Sequence, residues 1–222
     1  MRRVLRENGL SIVLFGLMFL CILGQYLAGR LEYNLDQQEH GQPAVGYSAY
    51  VFTPHFLEVT MENWESEFLQ MFAFVVLTAF LFQKGSAESK SLDEEEPVDR
   101  DPRKSRNKKA APWPVRKGGF VLKLYENSLS LAFLLLFLMS LILHAVGGAG
   151  EYNEQQIEHG VAEQVSTFQY LTTSRFWFES LQNWQSEFLA VWGMVVLTIF
   201  LRQRGSPESK PVDSPHNETG GE

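Results

Sequence analysis

The chain has 222 residues, 45% of them hydrophobic and 20% charged, with a net charge of −7. Its mean hydropathy of −0.12 is that of a soluble domain, yet the apolar residues are gathered in four blocks with the charges between them, the pattern of a small membrane protein with polar connections. The single cysteine, Cys21, excludes an intramolecular disulfide and a multi-cysteine zinc site, and the acids that balance the one basic run leave no case for nucleic-acid binding.

A short basic start (Arg2, Arg3, Arg6) leads into the uncharged stretch Leu10–Ala28. About 20 apolar residues at ~1.5 Å each cross the ~30 Å hydrocarbon layer. A cleaved signal peptide begins in the same way, but the same helix recurs inside the chain, where no signal peptide could be. The polar segment after it, Glu32-Tyr33-Asn34 through Glu39-His40-Gly41, places acids at i, i+4 and i+7, so the helix is expected to continue outward until Gly41-Gln42-Pro43 ends it. Thr53-Pro54 is a helix start, a threonine cap with proline at the first helical position. From there a helix of about 30 residues, ~45 Å, is expected to reach Gln83-Lys84, with Gly85 as its cap.

The second half repeats the first. Asn63-Trp64-Glu65-Ser66-Glu67-Phe68-Leu69 returns as Asn183-Trp184-Gln185-Ser186-Glu187-Phe188-Leu189, and the Gly-Ser-x-Glu-Ser-Lys run after Gln83 returns after Gln203, both at an offset of 120. Glu32-Tyr33-Asn34 and Glu151-Tyr152-Asn153 match at 119, which implies one inserted residue in the second loop. Each copy carries two apolar stretches. The predicted organisation is a two-helix repeat at 1–90, a disordered charged linker at 91–119, a second two-helix repeat at 120–206 and a disordered tail at 207–222.

Charge sets the orientation. Of 19 lysines and arginines, only Arg30 and Arg175 fall in the two loops that contain Glu-His-Gly; the rest lie at the termini and between Lys84 and Lys123. The positive-inside rule puts both termini and the linker in the cytoplasm and those loops outside. The expected fold is all-α, four transmembrane helices formed by tandem duplication of a two-helix hairpin, with the copies parallel and related by a pseudo-two-fold axis along the membrane normal. Glu-Tyr-Asn…Glu-His-Gly, Glu-Asn-Trp-Glu-Ser-Glu-Phe-Leu-Gln and Phe-Leu-Phe-Gln-Lys-Gly-Ser-Ala-Glu-Ser-Lys resemble an uncharacterised bacterial integral membrane protein family, a domain of unknown function. The resemblance covers nearly the whole chain outside linker and tail. It implies a bacterial inner membrane and carries no activity, cofactor or catalytic residue with it.

The polar residues at membrane depth are the candidate site. Asn63, Ser66 and Glu67 share one helix face, as do Asn183, Ser186 and Glu187 in the second copy. Counting back from Lys84 puts Glu67 ~25 Å and Asn63 ~31 Å above the inner boundary. Two readings follow: an interfacial girdle with carboxylates reaching water, or an interior site in which Glu67 and Glu187 approach each other and pass protons or cations. Glu39, His40, Glu158 and His159 are weak metal candidates, since adjacent Glu and His diverge by ~100° on a helix and no Glu-x-x-His or His-x-x-x-His is present. No phosphate loop, nucleophile elbow or dinucleotide fingerprint occurs. The function expected is that of a structural or accessory membrane protein, not an enzyme and without a cofactor. Its partners are the lipid bilayer and either a second copy or another membrane protein. The alternative is a small transporter or channel built on Glu67 and Glu187.

Overall fold

The computed structural model describes residues 2–92 and 95–220. Met1, Gly221, Glu222, and Asp93 and Glu94 of the acidic linker run lie outside the described residues. The described residues are all-helical, without a strand: α1 (Arg2–Glu39), α2 (Tyr47–Tyr50), α3 (Pro54–Phe80), α4 (Trp113–Lys117), α5 (Gly119–Glu126), α6 (Ser128–Glu158), α7 (Thr167–Tyr170) and α8 (Ser174–Phe200). Two of them, α1 and α6, are long and apolar enough to cross a membrane. The first half of α3 carries Glu58, Glu62, Glu65 and Glu67, and α8 carries Glu179 and Glu187, so neither is apolar along its whole length.

The local signals account for most of the boundaries. Thr53 Oγ1 accepts from the Phe56 backbone N–H at 3.2 Å, and Thr173 Oγ1 from that of Phe176 at 3.2 Å. Each satisfies an amide that the first turn of a helix leaves without a partner. α1 and α6 end on Gly41 (φ 72°) and Gly160 (φ 75°), in the left-handed region where a residue with a Cβ is strained. The Gln42 N–H reaches back to the Gln37 carbonyl at 2.8 Å, and that of Val161 to Gln156 at 2.9 Å. α3 stops at Phe80, earlier than the expected Gln83-Lys84, and Gly85 (φ 87°) shapes a turn beyond the helix instead of capping it. The Gln83 N–H bonds Ser89 Oγ at 2.9 Å and the Glu88 N–H bonds Ser86 Oγ at 3.1 Å. Gln203–Ser209 and Glu208–Ser206 do the same at 2.9 and 3.2 Å. The recurring Gly-Ser-x-Glu-Ser run is therefore a serine-stapled reversal of the chain.

Asn8 (φ −129°, ψ 17°) interrupts α1, its amide donating to the Val4 carbonyl at 3.2 Å. Asn127 (φ −114°, ψ 11°) separates α5 from α6 and donates to Lys123 at 2.9 Å. Asparagine does this because its short amide competes with the helix ladder for carbonyls.

The chain packs as two compact units, Met1–Met61 with Ile142–Phe176, and Glu62–Leu141 with Trp177–Glu222. The first is built on close approaches. Tyr50 and Tyr170 are fully buried, and the phenol of each fills the space where a Cβ would stand on Gly29 and Gly148. A Cβ on Gly147 would lie 2.6 Å from the Glu58 backbone nitrogen, so the start of α3 runs hard against α6. The side-chain amide of Asn34 binds both backbone groups of Val45, at 2.7 and 3.1 Å, and Asn153 binds those of Val165 at 2.8 and 2.9 Å.

In the second unit, Gln70 Nε2 on α3 donates to the Glu187 carbonyl on α8 at 2.9 Å. The tail folds back on a buried Lys210, whose ammonium donates to the carbonyls of Pro215, His216 and Glu218 at 3.2, 3.1 and 2.7 Å. Linker residues 95–118 form short 3-10 turns and α4, on which Val115 is buried.

Candidate functional site

The candidate polar residues of α3 and α8 do not all face one way. Asn63 and Glu67 are exposed on α3, Ser66 is buried, and Ser186 is exposed on α8 while Asn183 and Glu187 are half-buried. Both serines are used within their own helices, Ser66 Oγ on the Asn63 carbonyl and Ser186 Oγ on that of Asn183, each at 2.8 Å. The carboxylate that is fully buried is Glu65, which accepts from the indole Nε1 of Trp184 at 2.9 Å. Beside it the Asn183 amide donates to the Glu62 carboxylate. Trp184 is wedged edge-on between Phe137 and Trp177, with ring centres 6.2 Å away in both cases.

This face was open to sequence reading. Glu58, Glu62 and Glu65 recur at i, i+4 and i+7 and so share a side of α3, roughly 150° from the face of Asn63 and Glu67. A reading that keeps only residues shared by both copies passes over it, because Glu65 is replaced by Gln185 in the second.

In the first unit, carboxylates gather where the ends of α1 and α6 meet. Tyr33 donates to Glu154 Oε2 at 3.3 Å and Gln37 Nε2 to Glu158 Oε1 at 2.9 Å. Gln155 donates to Glu151 Oε1 at 3.0 Å and is itself held by Arg175 at 2.6 Å. Glu151 is only 5% exposed, and its Oε2 is buried without a hydrogen-bond partner.

These groups lie beyond the apolar stretches, and burial dominates their titration. Glu151 is pushed up to about 7, by burial first and then by Glu154. Glu154 is raised for the same reasons, with Glu158 as the charged neighbour. The Tyr33 phenol is raised by burial and by the three glutamates, and burial pushes Tyr50 up to about 12. Burial holds the His55 imidazole below its ordinary range, against the pull of Glu32 and Asp36.

Of the weak metal candidates, His40 and Glu158 come together, while Glu39 is exposed and outside that group. The third member of that group is Asp36, which the sequence reading did not include. Its ligand atom, that of His40 and that of Glu158 lie within 4.8 Å of one another. The His159 ring stands 5.7 Å from that of His40.

The chain belongs to the family described as a domain of unknown function (DUF6766), which matches residues 1–221. No curated protein and no solved structure matches it.

Proposed function

We propose that the protein is a structural or accessory membrane protein of four spans, a duplicated two-helix hairpin whose termini and linker face the cytoplasm of a bacterial inner membrane. It acts through lipids or a partner in the bilayer and needs no cofactor. The matching bounds of α3 and α8, 120 residues apart, and the matching caps and serine turns support the duplication. Membrane residence is supported by the apolar surface: Leu10, Phe15, Phe19 and Leu20 on α1, Leu77 and Phe80 on α3, Trp192 and Leu197 on α8 are all about half exposed or more. An apolar surface this extensive calls for lipid around it.

The observation that carries the structural reading is the Glu65–Trp184 pair. Its carboxylate is fully buried and is held by the indole of the opposing copy, which makes it an interhelical tie. The alternative, ion passage along Glu67 and Glu187, is less well supported because Glu67 lies on an exposed face and the Glu187 carbonyl anchors Gln70.

Purified protein in liposomes with a pH-sensitive dye inside should leak protons no faster than empty vesicles under an imposed potential. A flux above that background, abolished by Glu67→Gln or Glu187→Gln, would overturn the structural reading.

A further inference from the structure

We propose that Asp36, His40 and Glu158, with His159 completing the set, form a binding site for a divalent transition-metal ion that ties the end of α1 to the end of α6. The site does not depend on the membrane topology or on the structural reading above.

Spacing is the first argument. His40 Nδ1 lies 3.5 Å from Asp36 Oδ1 and 3.8 Å from Glu158 Oε2. Nitrogen and oxygen ligands about 2.0–2.2 Å from a tetrahedral zinc stand roughly 3.4 Å apart, so small side-chain adjustments suffice. The His159 ring stands outside that three-atom cluster, with its centre 5.7 Å from that of His40. Two imidazoles on one such ion have ring centres roughly 5–6 Å apart, so rotation of the His159 side chain would bring in a fourth ligand.

Preparation of the ligands is the second. Gln37 Nε2 donates to Glu158 Oε1, which leaves Oε2 turned to His40. His159 Nδ1 lies 2.7 Å from the Gln155 carbonyl, which fixes the proton on Nδ1 and leaves the Nε2 lone pair for a metal. Supporting contacts of this kind orient ligands in metal sites. His40 makes the same kind of contact, Nδ1 to the Asp36 carbonyl at 3.0 Å, and exchanges it for the ion on binding. Both histidines are held at helix ends closed by Gly41 and Gly160, so their backbone is set before the ion arrives.

Charge is the third. Behind the ligands stands the buried Glu151, one carboxylate oxygen of which has no hydrogen-bond partner, with Glu154 beside it. Arg175, the base that acts on Glu151, is engaged by Gln155 and Glu58. The donor set, two imidazoles and two carboxylates, suits zinc and its neighbours over calcium or magnesium, which take oxygen ligands.

The test is calorimetric titration of zinc chloride into the full chain in detergent, stripped with chelator, on a Cys21→Ser background so that the thiol takes no part. One zinc per chain is expected. The affinity should fall at least tenfold in His40→Ala and in Glu158→Gln, should fall less in Gln37→Leu, and should not change in His216→Ala. Circular dichroism melts of each variant without metal show that the helices persist. Absence of zinc binding by the parent, or equal affinity in a His40→Ala/Glu158→Gln double variant that melts like it, would overturn the site.

Discussion

Glu151 shows what burial does to one carboxyl. With an ordinary value of 4.5 and a folded value of about 7, the folded chain holds this proton more tightly than the unfolded chain between those limits. Stability therefore falls as pH rises from about 4.5 through 7 and is level above that, by on the order of 3 kcal/mol for this group alone. Glu154 and Asp36 add to the effect, Gln155 and Arg175 oppose it. With chelator present, the Tm of the detergent-solubilised protein should be lower at pH 8 than at pH 5.5, and Glu151→Gln should flatten most of that slope. Identical pH profiles for parent and variant would show that Glu151 is solvated.

At the scale of elements, the close approach of α6 to its neighbours rests on hydrogen atoms at Gly147 and Gly148. Gly148→Ala puts a methyl group into the Tyr170 ring and should cost roughly 1–3 kcal/mol through overpacking. Gly193 on α8 has nothing within 4 Å of its absent Cβ, so Gly193→Ala should be neutral or stabilising by up to about 1 kcal/mol through helix propensity. Thermal melts of the two variants should move in opposite directions or leave only Gly148→Ala displaced. Element boundaries were largely legible in the sequence, because Thr53, Thr173, Gly41 and Gly160 act locally and their chemistry requires no knowledge of the fold. The buried face of α3 was not. Glu65 and Glu67 both sit in the first copy of the motif, and the choice between them is made by Trp184, a residue 119 positions away in the other copy. Asp36 was missed for the same reason, since Glu158 reaches it only when two helix ends are brought together.

For the whole molecule, the split of basic residues makes a directional prediction. In intact cells and on a Cys21→Ser background, Gln42→Cys should react with an impermeant thiol reagent, and Ser105→Cys should react only after the membrane is opened. The reverse pattern would invert the topology while leaving the helices unchanged.

The bareness of α1 bears on how such a chain is made. None of its most apolar window is buried against the rest of the protein, against 17% for α6. On the proposed topology a segment with so little burial, tied to α3 within this stretch by the Gln25–Thr60 bond, can partition into lipid on its own hydrophobicity while later segments are still being translated. α3, with four glutamates in its leading half, has no such independence on the same topology, and its insertion would wait on a companion already in the bilayer. On that topology the order of the helices along the chain is also a workable order of entry, the self-sufficient helix first and the acid-bearing one second.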